Sequence, residues 1–464
     1  MGAAFARLLV LILPLLLLRS AAQADSAPEA HDLEALLAAA ERNYPGLEAR
    51  VHDIDAAEAQ LDEARIAPFL QFRALGNFSF VPGASGTPIY SNDTQVNIGG
   101  TWGPTTGATV EGAIPLITFG KLRAVRDTAR IGVEAARLER DRSLAAVRVD
   151  VIRAYMALQL ALDLEVMVQE GVSILEKAIR TLKDREESGD ASDPMDGYRL
   201  TAALAEIRAR ASEVDRLKST ARAALRALTG VHDVAIPDCP LVAYEFDLED
   251  EEDDETFELA ISRRPEATLL DQAVHARELQ VKLHRARFLP DFVLAARAGA
   301  QITPGRTNIV NPFISDSPNA RNLVAGLVMQ WDLDFYGTVK RVDRARALLR
   351  ATEARRREAR AGMRLEIEQA HAQIRSAQDR LTSFEEGERT TRAWTVAALQ
   401  GYQVGTTEVR TLIEAIKAYY TQRGSRLQAV HDLNVAIAGY GRVSGSGVAP
   451  RGGWNASCEL DDDE

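Results

Sequence analysis

Catalysis, metal binding and phosphate recognition each need particular side chains at particular spacings, and this chain carries few of them. Seven histidines and two cysteines leave little for a structural zinc site, which takes four clustered Cys or His ligands. His275 and His284 are scattered along helical stretches and methionine is sparse, with six in the chain, so the ligand set of a metal exporter is not expected. Gly439-Tyr440-Gly441 with Gly445 is a glycine-rich helix end without the preceding strand that lets such glycines cradle a phosphate. A nucleophile elbow is also missing. The acidic run from Glu249 to Glu255 reads as a solvated linker rather than a calcium loop. Side-chain chemistry therefore speaks against an enzyme, and no metal or cofactor is expected. The formal net charge of −12 removes a further class, because nucleic-acid binders cluster Lys and Arg to displace counterions.

The elements that would position any site follow from composition and period. Aromatics make up 6% of the chain, and the apolar share of 46% is carried mostly by Ala, Leu and Val, the mixture of long helices. At the start, Arg7, the apolar run Leu8 to Leu18 and Ala22-Gln23-Ala24 follow the order of a secretory signal peptide, assigned to residues 1–24. A run of eleven apolar residues is too short to span ~30 Å of hydrocarbon. The mature chain is expected to begin near Asp25, which offers no cysteine for lipid attachment. No later stretch reaches the ~18 to 20 apolar residues of a membrane helix, so any membrane contact falls to strands.

Punctuation residues reveal an internal two-fold repeat. Arg42-Asn43-Tyr44-Pro45 is echoed by Ser262-Arg263-Arg264-Pro265, Ala64 to Pro68 by Ala286 to Pro290, Phe119-Gly120 by Tyr336-Gly337, and Gly189 by Gly405, at offsets of 220, 222, 217 and 216 residues. The halves are 30–230 and 256–442. Each opens with helices (25–67 and 256–289) in which Pro45 or Pro265 should bend or restart the helix. Strand pairs follow (68–117 and 290–336). Leu70, Phe72, Ala74, Gly76, Phe78 and Phe80 alternate with Gln71, Arg73, Asn77 and Ser79, and Phe292, Leu294, Ala296, Ala298, Ala300 and Ile302 alternate with Arg297, Gln301 and Thr303, as half-buried strands require. The partners carry Val110, Gly112 and Ile114 in the first half and Leu323, Ala325, Leu327, Met329 and Trp331, opposite Asn322, Gln330 and Asp332, in the second.

Long helical hairpins complete each half (118–230 and 337–442). No proline occurs between Leu116 and Asp193 or between Asn319 and Ala449, and a helix from Gly120 to Glu187 would be ~100 Å long at ~1.5 Å per residue. Ser188 to Pro194 and Val404 to Thr407 are the turns. The linker 231–255 and the acidic, Gly/Ser-rich tail 443–464 are not expected to join a core. Four amphipathic strands cannot sit in lipid with bare edges, so several copies must share one barrel. Three copies make twelve strands, wide enough for an aqueous lumen; two make eight, filled by side chains.

Gly401-Tyr402-Gln403-Val404-Gly405-Thr406, the downstream Leu412-Ile413-Glu414-Ala415, the strand-to-helix Pro115 to Gly120 and the duplicated element order resemble the TolC-like outer-membrane efflux proteins. The resemblance implies a mainly α fold with a β-barrel part: a homotrimer whose four strands per chain share an outer-membrane barrel, continued by long helical hairpins in a periplasmic α-barrel. It implies an exit duct for an efflux pump or type I secretion system, partnered by a periplasmic adaptor, an inner-membrane pump and outer-membrane lipid. Adaptor docking is implied at the hairpin tips, Ser188, Gly189 and Asp190 in one and Val404, Gly405 and Thr406 in the other. A pore constriction is implied at Thr411 and Glu414, where the family carries two aspartates, together with Tyr402. Thr407 stands where the family has a tip arginine, which leaves the closing lock incomplete. A blander role for Glu414 is pairing with Arg410 one turn away. Cys239 and Cys458 fall in regions that the family brings together, where an oxidising periplasm permits a disulfide. A secreted coiled-coil scaffold or adhesin without a pore is the alternative; it explains the helices but not the strands.

Overall fold

The computed structural model describes residues 30–69, 71–85, 95–96, 101–188, 193–246, 254–306, 316–447 and 454. In order, α1 (Leu33–Asn43) and α2 (Pro45–Ile66) precede β1 (Gln71–Pro82), the short β2 (Ala84–Ser85) and β3 (Gln95–Val96), and β4 (Trp102–Ile117). Then come α3 (Lys121–Glu187) and α4 (Asp196–Thr229). The second half repeats this with α5 (Asp254–Arg263), α6 (Pro265–Ala286), β5 (Asp291–Ile302), β6 (Arg321–Gln330), α7 (Phe335–Gln403) and α8 (Val409–Val443).

The chain forms two compact units, one of residues Met1–Leu47, Ser143–Ala260 and Leu365–Glu464, the other of Glu48–Arg142 and Ile261–Arg364. The second unit holds an antiparallel sheet of order β1-β4-β5-β6, in which β1 and β6 are the edges. Its register places Phe72, Phe78 and Phe80 on one face with Trp102, Val110, Ile114, Leu294, Ile302, Leu323, Leu327 and Met329. Gln71, Arg73, Asn77, Thr105, Thr109, Glu111, Arg297, Gln301 and Asn322 occupy the other, with Leu75, Val293, Val324 and Val328 among them. Alternation alone produces this segregation, because successive side chains leave a strand on opposite sides. Trp331 and Asp332 lie beyond the end of β6 rather than on it; the Trp331 indole instead donates to the Phe288 carbonyl at 3.1 Å. Leu70 lies outside the described residues.

Pro45 and Pro265 each begin a new helix, the position where a missing N–H costs nothing. The two strand-to-helix passages differ. Phe119 and Gly120 both adopt positive φ, 48° and 87°, immediately before α3. In the second half Tyr336-Gly337 lies inside the first turn of α7, where the Asp334 carboxylate accepts the Gly337 N–H at 2.9 Å.

The helical unit has two apolar cores. One gathers Leu33, Leu36, Met156, Leu158, Leu225, Ile374 and Ile437; the other gathers Leu175, Leu200, Tyr402, Leu412 and Ile416 near the hairpin turns. Gly230 ends α4 at φ 73°, as a left-handed cap does, and the Asn43 amide donates to the Thr229 carbonyl at 2.9 Å. The expectation that the linker stays out of the core is corrected here. Val234, Leu241 and Tyr244 are buried in the first core, and the backbone they bring with them is satisfied by side chains. Leu241 N–H donates to Asp163 at 2.9 Å, Tyr244 N–H to Asn434 Oδ1 at 3.1 Å, and the amides of Asn434 and Gln378 donate to Val242 and Phe246 carbonyls at 2.8 and 3.0 Å. The stretch 231–246 that precedes the acidic run is mostly apolar, and that was enough to draw it in. In the tail, the Trp454 ring packs edge-on against Tyr244 with centroids 5.2 Å apart.

Candidate docking and constriction site at the hairpin turns

Both turns belong to the helical unit. At the first, the Ser188 hydroxyl donates to the Asp184 carbonyl at 2.7 Å as α3 ends. Gly189 and Asp190 lie outside the described residues. Asp193 then opens α4: its carboxylate accepts Met195 N–H and Arg199 at 2.9 Å each, and Arg199 also reaches Asp196 at 2.9 Å. The Met195 N–H, and after it Arg199, hold the Asp193 carboxyl below the usual range.

The second turn is made by backbone. Thr406 N–H donates to the Gly401 carbonyl at 2.8 Å and Gly405 N–H to the Tyr402 carbonyl at 3.2 Å, with Gly405 at φ 81°. This is a Schellman helix end, and only glycine takes its left-handed position without strain. Thr407 N–H also donates to Gly401, and Val404 is exposed at the apex. Tyr402 is buried: its hydroxyl donates to the Ala178 carbonyl at 3.1 Å, and burial pushes its pKa up.

Arg185, near the end of α3, reaches this turn from the other hairpin. Its Nη2 donates to the Tyr402 carbonyl at 2.6 Å and to the Gln403 carbonyl at 3.2 Å, and its guanidinium lies 5.1 Å over the Tyr402 ring. A helix end leaves its last carbonyls unpaired and partly negative, so a cation there is stabilising. Sequence reading missed Arg185, because nothing local marks one arginine among many on a charged helix. It supplies an arginine contact beside Tyr402 where position 407 holds threonine.

Thr411 is half-buried on α8 and Glu414 is exposed one turn on. Arg410 Nε donates to Glu414 Oε1 at 2.9 Å, so the bland pairing is present in the single chain. Neighbouring helices are joined by Lys417 to Glu206 at 2.6 Å and Arg208 to Glu176 at 3.1 Å. Between α3, α4, α7 and α8 lies a groove of about 710 Å³, lined by Met167, Ile207, Val214, Phe384 and Tyr420. Cys239 is not a free thiol, and Cys458 lies outside the described residues. His275 pairs with Glu278 at 3.4 Å, and no group of three or more metal-ligating side chains occurs among the described residues.

The profile of the outer membrane efflux protein family matches residues 36–231 and 257–438, one segment for each repeat and well over half the chain. The chain belongs to the outer membrane efflux protein family. No curated protein matches it by sequence. Its fold is that of solved channels. The outer-membrane channel OprN superposes with a TM-score of 0.72 at 20% identity, covering 89% of each chain. VceC from Vibrio cholerae gives 0.69 at 17%, covering 89% of this chain and 96% of the other. The open state of the MtrE channel from Neisseria gonorrhoeae gives 0.71 at 16%, covering 89% and 88%. No described helix is long and apolar enough to cross a membrane. This outer membrane efflux protein is an exit duct, placed in the outer membrane with its helices in the periplasm; it is neither an enzyme nor a poreless scaffold.

Proposed function

We propose that three copies of the chain close their sheets into one twelve-stranded barrel and their helices into a periplasmic tunnel. One observation carries this: a four-stranded sheet with two open edges, β1 and β6, one apolar face and one polar face. In hydrocarbon an unpaired edge costs several kcal/mol per group, so the edges must meet those of other copies. The long strands, 10 to 16 residues, suit a tilted membrane crossing of ~9 to 11 residues.

The duct works downstream of an inner-membrane pump, which supplies the energy, through a periplasmic adaptor that grips the turns around Gly189 and Gly405. A ring of Thr411 and Glu414 narrows the inner end, with Tyr402 and Thr407 at the turn below. The Arg410 contact favours a second reading, in which each Glu414 is neutralised within its own chain and Thr411 sets the width. The packing of Trp454 on Tyr244, four residues before Cys458 and five after Cys239, supports a bridge between the two cysteines. Native mass spectrometry of protein extracted from outer membranes should give a trimer, and the same preparation should conduct in planar bilayers. Monomers without conductance would overturn the reading.

A further inference from the structure

The polar face of the sheet carries a row of charge that hydropathy does not reveal and that the register makes plain. Arg73 stands opposite Glu111, and Glu111 opposite Arg297, on three adjacent strands. Opposed residues in an antiparallel pair lie within reach of one another, so the row runs plus, minus, plus across β1, β4 and β5. Arg73 Nη1 is 3.9 Å from Glu111 Oε1, with the arginine side chain 72% exposed. Arg297 is exposed and forms no ion pair among the described residues. One carboxylate therefore faces two guanidiniums. The other charge that the strands present on this face, Asp291, is already held by Lys121 at 3.0 Å. On the opposite face the strands carry no charge except Arg321, at the start of β6. The row borders a cavity of about 980 Å³ on the polar side of the sheet, lined also by Gln71, Gln330 and Val324.

We propose that Arg73 and Arg297, spaced by Glu111, form an anion-binding belt inside the barrel, with multivalent anions such as polyphosphates or polycarboxylates as its ligands. This rests on the reading that copies close with the polar face around water. Each chain then brings a surplus positive charge to one level of the passage, and a water-filled lumen with low-dielectric walls focuses that field. Guanidiniums suit the role because they stay charged and present a planar fork that matches phosphate or carboxylate oxygens. Glu111 keeps the two arginines of a chain apart and moderates the site, so that an anion is held weakly enough to leave, as conduction requires.

The test uses the full chain in planar bilayers, with inorganic tripolyphosphate as the probe. Wild-type channels should be blocked in a concentration-dependent and salt-sensitive manner. The double substitution Arg73→Gln and Arg297→Gln should weaken block about tenfold or more, whereas Arg73→Lys with Arg297→Lys should retain most of it. Glu111→Gln should move block the other way and strengthen it. Channels of normal conductance whose block is the same in wild type, the double glutamine variant and Glu111→Gln would overturn the belt while leaving the closed barrel intact. Absence of conductance from every form, wild type included, would instead overturn the barrel reading and the belt with it.

Discussion

In the helical unit Leu200, Leu225 and Leu412 are enclosed by neighbouring helices, whereas in the sheet Phe78 and Leu323 stand 69% and 79% exposed. Both regions obey the same rule, that apolar surface leaves water, but one is completed by its own chain and the other, in the proposed barrel, by lipid and further copies. An identical residue type should therefore carry different weight in each. Leu225→Ala removes atoms that other helices cannot replace and should cost ~2 to 5 kcal/mol. Leu327→Ala, on the apolar sheet face, should cost less than ~1 kcal/mol, because lipid or detergent tails are as apolar as leucine and fill the space. Thermal unfolding in detergent, followed by circular dichroism, would read both; equal losses would break the comparison.

Charge sharpens the contrast within the sheet. Leu294→Arg on the apolar face should cost ~2 to 4 kcal/mol near the bilayer midplane, while Gln301→Arg on the polar face should be tolerated. Assembly yield in outer-membrane fractions measures it, and equal tolerance would mean that the two faces are assigned the wrong way round.

The turns come next, where the expected change is in transport rather than in folding. Gly405→Leu forces a side chain into left-handed backbone, with its Cβ 3.2 Å from Arg185 Nη2. Efflux should be lost while the oligomer persists, and a bulky residue at Gly189 should act alike. Normal efflux in both variants would move adaptor docking elsewhere.

Asp163 probes the buried linker. Burial holds its carboxyl above the ordinary aspartate range against the Leu241 N–H and the nearby Arg426 and Arg423. The folded chain therefore takes up a proton before the unfolded chain does. Stability contributed by this group rises as pH falls through the raised value and levels off below the ordinary one. Asp163→Asn should flatten that part of the pH dependence of Tm; an unchanged profile would mean that water reaches the carboxylate freely.

The smallest effect on folding is expected at Glu414, whose contact with Arg410 is worth only ~0.2 to 0.5 kcal/mol. Its effect on conduction should be larger: Glu414→Ala weakens cation selectivity and block by multivalent cations, whereas Glu249→Ala does neither. Unchanged selectivity in the Glu414 variant would leave Thr411 to set the neck.

Much of this architecture was legible in the residues because its signals are local. Absence of proline marks α3 and α7, glycines at 230 and 405 mark helix ends, and alternation marks the faces of the strands. What stayed hidden depends on partners distant in sequence. Arg185 meets Tyr402 across 217 positions. The Arg73, Glu111 and Arg297 row exists only once the register joins strands from both repeats. Burial of the linker was masked by the acidic run that ends it, since whether Leu241 and Tyr244 are covered depends on helices that surround them. Even the repeat misled in one place: Tyr336-Gly337 keeps the offset of Phe119-Gly120 but sits within a helix, because Asp334 caps α7 two residues earlier.

The strapped linker also bears on mechanics. Residues 241–246 are bonded to Asp163 on α3, Gln378 on α7 and Asn434 on α8, like a pawl engaging three toothed rods at once. A helix can shift along its neighbours only in steps that restore packing, and one full turn is ~5.4 Å. Such a step on any of these three would strand a buried amide or carboxylate without its partner, at a cost of ~1 to 3 kcal/mol each. Axial ratcheting at this level is thus disfavoured, which leaves pivoting below it as the cheaper motion, and there the Arg185 contact with the Tyr402 and Gln403 carbonyls would have to break.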